Sequence, residues 1–166
     1  MAKADPDLVG YWVEEYEGLV SVFDVKLSKD GRCYEVLEIE CEGTLRKPTK
    51  LLGQYRATAW LTAIEGVHFV TCKVADDESW PEKHRERLKT HPYTIEKIEI
   101  AKDKVVLTSL RPEFEPFASA KTRGELEAAV AKNLKNPDAF DFKSEFKRAK
   151  EAEVKEVLKL AETEKR

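Results

Sequence analysis

Three histidines, three cysteines, a basic cluster and many carboxylates are the groups in this 166-residue chain that could do chemistry. His68, His84 and His91 lack zinc-helix spacing such as HExxH, so no metal site is expected. Cys33, Cys41 and Cys72 are odd in number and form no CxxC pair, which predicts buried free thiols rather than a disulfide framework. Arg46, Lys47 and Lys50 could meet an anion, but no Gly-rich turn opens a helix beside them, and the segment reads as a solvated loop. Asp and Glu alternate with lysines in surface patterns, which suits acid/base work poorly. GxSxG, Walker and dinucleotide fingerprints are absent from the sequence. No catalytic residue, metal or cofactor is therefore expected, and an enzyme is the least favoured reading.

Composition narrows the classes further. Hydrophobic residues make up 42% and charged residues 37%, which suits a globular domain with a charged helical surface rather than disorder. A net charge of −3 lacks the basic footprint of a nucleic-acid binder. No apolar run approaches the roughly 18–20 residues of a bilayer span. The opening Met-Ala-Lys-Ala-Asp-Pro-Asp has no signal-peptide apolar region, so the chain reads as cytoplasmic as written. It reads as extracytoplasmic if the sequence is a trimmed piece of an exported protein.

The elements that would position these groups are strands. Residues 8–16 and 19–27 read as a hairpin about Glu17-Gly18, with Trp12 opposite Phe23 and Gly10 opposite Val25. A three-residue loop ending in Gly31 then pairs Phe23 with Leu37, and the alternative register, Phe23 against Glu38, is set aside. Residues 42–53 read as a basic connection that could include a short edge strand. Residues 54–64 and 67–75 form a hairpin about Glu65-Gly66 that places Leu61 against Val70 and Ala59 against Cys72. Ser79 and Glu82 make a capping box for a short helix near 79–89, on which Trp80, His84 and Leu88 share a face and could form a lid. A last hairpin sets Ile98 against Leu107, and Phe114 and Phe117 anchor a proline-rich strap. From Thr122 the period turns helical, with a capping box to Glu125 and a Leu126/Val130/Leu134 stripe. The apolar patch Tyr11, Val13, Val22 and Val36 calls for cover by these C-terminal helices.

Gly10-Tyr11-Trp12 on a first strand resembles the Gly-x-Trp start of lipocalins and related calycin barrels. The resemblance implies a barrel whose Trp12 packs across the closed end, with a late arginine, Arg111 in this reading, laid over it. The fold expected is α+β: an antiparallel meander or lipocalin-like barrel of seven or eight strands. Residues 1–117 would form the barrel and 118–166 a helical extension packed on it.

Two functions remain beside the enzyme. The first is a non-catalytic binding domain for a small apolar ligand, as the resemblance implies. Phe23, Leu37, Ala57, Ala59, His68, Trp80 and His84 would then line its interior and mouth; the small alanines leave room. The second is a structural or protein-interaction module with a filled barrel.

Overall fold

Glu17-Gly18 and Glu65-Gly66 take positive φ at both turn residues, the primed-turn geometry that matches the twist of paired strands. Each therefore closes a two-residue hairpin in the expected register. Trp12 lies opposite Phe23 and Gly10 opposite Val25, while Leu61 lies opposite Val70 and Ala59 opposite Cys72. In the computed structural model, which describes residues 4–75, 93–111 and 113–163, these hairpins belong to one closed antiparallel barrel of eight strands. The strands are β1 (Gly10–Tyr16), β2 (Leu19–Leu27), β3 (Tyr34–Thr44), β4 (Lys47–Ile64), β5 (Val67–Val74), β6 (Tyr93–Ala101), β7 (Lys104–Leu110) and β8 (Phe140–Ala149). The expected α+β architecture is present, with Ile98 opposite Leu107 as anticipated. The helix expected near 79–89, and with it the lid, lies outside the described residues.

Three features differ from the sequence expectation. The β2–β3 loop runs over six residues, because the Ser28 N–H donates to the Cys33 carbonyl (2.9 Å). The Ser28 hydroxyl also donates to Asp30 (2.7 Å). Leu27 thus meets Tyr34, and Phe23 meets Glu38 rather than Leu37. Every β3 side chain changes face relative to the expected register. Residues 42–53 are not a loop: β3 and β4 continue as a long hairpin with register shifts at Glu40/Cys41 and Glu42/Gly43. Residues 140–149 are a strand rather than part of a helical extension, and β8 closes the barrel by pairing with both β7 and β1.

Among the described residues, three helices pack on the barrel's outer wall. α1 (Glu115–Ala118) is a single turn that buries Phe117 and precedes α2 (Arg123–Asn133). The capping box is present at Thr122 and Glu125. Val130 is fully buried against Ile64, Phe69 and Ile95, with Leu126 and Leu134 packed around them. Arg123 fixes this helix, donating to Thr62 Oγ1 (2.8 Å) and Glu127 (2.8 Å) and lying over the Trp60 ring. α3 (Glu151–Thr163) lays Val154, Val157 and Ala161 on Val13, Val20, Val22, Ile39 and Cys41. Tyr11, Val13 and Val22 are covered as anticipated, whereas Val36 packs with the barrel interior. No described helix is long and apolar enough to cross a membrane.

Candidate functional site: the barrel lumen

Trp12 sets the floor of the lumen. It is 3% exposed, and its Nε1–H donates to the Leu8 carbonyl (2.8 Å), so its one polar atom is satisfied while the indole stays in the apolar core. Leu8 sits on the short 3-10 turn Pro6–Leu8, which Asp5 caps. The cation over Trp12 is Arg148, 4.4 Å from the ring centroid, and not Arg111. Arg148 also donates to the carbonyls of Val9 (3.0 Å), Lys102 (3.1 Å) and Asp7. A Cβ on Gly10 would stand 3.3 Å from this guanidinium, and Gly10 has φ +128, so a side chain there would meet both strain and crowding. The glycine of Gly10-Tyr11-Trp12 thus lets the arginine pass.

Above this floor lie Tyr34, Ala59, Leu61, Val70, Ile98, Val105 and Phe146, all buried. Phe23 and Phe146 meet edge to face at 4.9 Å. Phe23, Val25, Val36, Cys72 and Leu107 also face inward on this cluster, yet they are only half-buried. These inward-facing side chains keep accessible surface that the buried cluster does not cover.

The next layer is polar. Glu38 shares an inward face with Val36 and pairs with Phe23 and Tyr55. Glu96 pairs with Val70 and Ser109, and the Ser109 hydroxyl donates to it (2.8 Å). Burial, then the charges of Glu40 and Glu96, push the Glu38 carboxyl up to about 7. Burial likewise raises Glu96, although its bond from Ser109 opposes the shift. Tyr55 is raised by burial and by Glu40, to which its hydroxyl is bonded. The Cys72 thiol is pushed up to about 12 by burial and then by Glu96 and Glu38. Glu38, Glu96 and Cys72 are crowded by protein atoms yet retain accessible surface.

This layer can accept hydrogen bonds and positive charge. A carboxyl near neutrality can also exchange a proton at physiological pH, but the adjacent thiol is held protonated and is a poor nucleophile. Among the described residues no three His, Cys, Asp or Glu side chains converge on a point that could hold a metal ion.

The expected lining residues distribute unevenly. Phe23, Ala57 and Ala59 face the lumen. Leu37 does not: it packs on the outer wall beneath α3. His68 pairs with Ala63 beside the Glu65-Gly66 turn, at the floor end, and is exposed. Trp80 and His84 lie outside the described residues. Arg46, Lys47 and Lys50 are exposed, in keeping with a solvated role. Sequence reasoning missed Glu38, Glu40, Tyr55, Glu96, Ser109 and Arg148. The signal for β8 was its period-two pattern, Phe140-Asp-Phe-Lys-Ser-Glu-Phe-Lys-Arg.

These features define an antiparallel closed β-barrel with helices on its outside and a mixed apolar and acidic lumen. Comparison with family models, curated proteins and solved structures returns no match.

Proposed function

We propose that the chain is a non-catalytic, lipocalin-like binding domain that takes a small, largely apolar ligand into its lumen. The observation carrying this reading is the contrast between the sealed Trp12/Arg148 floor and the half-buried Phe23, Val36, Cys72 and Leu107 above it. A floor and an apolar wall with unfilled contact surface are what a small hydrophobic guest requires. The alternative, a protein-interaction module with a filled barrel, would rest on Tyr16 and Leu19 at the exposed rim. These residues pair at the barrel's other end and are 65% and 47% exposed. Methyl NMR during a titration with decan-1-ol separates the two. In the lumen reading, Val36 and Leu107 shift while Val20 and Val157 on the outer wall do not. Ala57→Trp, which fills the lumen from β4, then abolishes the shifts. Shifts confined to Leu19 and its neighbours would support the surface reading instead.

A further inference from the structure

Barrel interiors seldom keep carboxylates without a partner, because an uncompensated charge in low dielectric is costly. This interior keeps several that meet no cation among the described residues. Glu14, Glu38, Glu40 and Glu96 face inward from β1, β3 and β6 by their registers with Ser21, Phe23 and Val70. Among the described residues, the basic side chains on the inward parity are Arg148 and His68 at the floor end, and Lys50 beyond the opposite end, where it meets Glu42 (3.7 Å). Arg148 is engaged by Trp12 and three backbone carbonyls, and His68 lies exposed beside its turn. Among the described residues, no cation acts on Glu38 or Glu96.

A second observation points to the same place. The Cys72 thiol is enclosed by the wall, faces inward opposite Ala59 and has no hydrogen-bond partner among the described residues, and both Glu38 and Glu96 act on it electrostatically. One weak polar group and two carboxylates therefore face the interior with no countercharge among the described residues. A metal ion does not fit, since these groups are spread along the wall and no three converge on one point among the described residues.

Resting on the lumen reading above, we propose that the guest is a cationic amphipath, a primary amine carried on an apolar body. Its ammonium group sits between Glu38 and Glu96, donating to both carboxylates, and its chain lies along Phe23, Val36 and Leu107 toward Trp12. The Ser109 hydroxyl, which already donates to Glu96, holds that carboxylate in place for the incoming donor. An anionic amphipath of the same length is rejected by the same charges.

Isothermal titration calorimetry at pH 8 with decylamine, decan-1-ol and decanoate, all below their micelle concentrations, tests this on the full chain. Decylammonium should bind one to one, at least about tenfold tighter than decanol, with decanoate the weakest of the three. The double variant E38Q/E96Q should bring decylamine to decanol's affinity and leave decanol unchanged; each single variant should lose part of the preference. Circular dichroism of each variant establishes that the barrel is intact. Equal affinities for amine and alcohol, or an amine preference that survives E38Q/E96Q, would overturn the head-group assignment and leave the lumen reading standing. Absence of binding by all three, or binding indifferent to Ala57→Trp, would overturn the lumen reading itself.

Discussion

Arg148→Ala is the perturbation that best probes how this barrel is closed. The side chain stacks on Trp12 at 4.4 Å and donates to the carbonyls of Val9, Lys102 and Asp7. The acceptors on Lys102 and Asp7 are exposed and can be rehydrated, so their loss costs little. The half-buried Val9 carbonyl loses a charge-assisted bond worth about 1–2 kcal/mol, and the stacking adds about 1 kcal/mol. With the packing of its aliphatic stem, Arg148→Ala should destabilise the fold by about 2–4 kcal/mol. Trp12→Ala should cost about 3–5 kcal/mol through cavity formation. The double variant should fall short of the sum by about 1 kcal/mol, because removing either partner already abolishes the stack. Urea unfolding of the two single variants and the double variant measures all three. Arg148→Lys keeps the charge without the planar fork and should recover less than half of the loss. Arg111→Ala is the internal control, since the bond from the Arg111 backbone N–H to Ala139 is independent of its side chain. A loss below about 0.5 kcal/mol for Arg148→Ala, or an equal loss for Arg111→Ala, would refute this account of the floor.

Three further outcomes follow from the same geometry. Glu38 is raised from its ordinary value to about 7, so the folded state holds a proton that the unfolded chain releases. Its contribution is favourable below about pH 4.5 and is lost as pH rises through about 7, a difference on the order of 2–3 kcal/mol. Wild type should therefore have a lower urea midpoint at pH 8 than at pH 5, and Glu38→Gln should remove most of that difference; identical pH profiles would contradict it. Val157→Asp places a charge in the fully buried contact between α3 and the wall and should cost several kcal/mol. It should also open Cys41, whose thiol is raised by burial, to an alkylating reagent; unchanged labelling would mean that α3 does not shield it. Removing residues after Lys150 should expose Val13, Val20, Val22 and Ile39 and lead to dye binding or aggregation, whereas an unaltered, monodisperse protein would show that α3 contributes nothing to the wall.

What the sequence revealed depended on local chemistry. Two-residue hairpins dictate their own register, so Trp12/Phe23 and Ala59/Cys72 were readable from Glu17-Gly18 and Glu65-Gly66. The apolar outer patch correctly signalled helical cover over Tyr11, Val13 and Val22. The same patch explains the misread β3. Hydrophobic parity fixes a register only when one face is buried, and here α3 buries the outer face as well. Leu37, Ile39 and Cys41 are apolar because a helix lies on them, and Glu38 faces inward although it is charged. Choosing the register that sent the apolar residues inward concealed the acidic layer. The Ser28 and Asp30 side chains that lengthen the preceding loop were visible, but their hydrogen bonds were not. In β8, lysines and glutamate on the outer positions resemble a charged helix, and the neighbouring α3 made that resemblance stronger. Arg148 was lost along with that strand.

The lumen as a binding site is tested most directly by a crystal structure of the chain grown with decylamine. The account predicts continuous density rising from Trp12 past Phe23 and Leu107, with the amine within hydrogen-bond distance of Glu38 and Glu96. Inward side chains packed against one another with no room for a guest, or decylamine bound only on the outer wall, would contradict it.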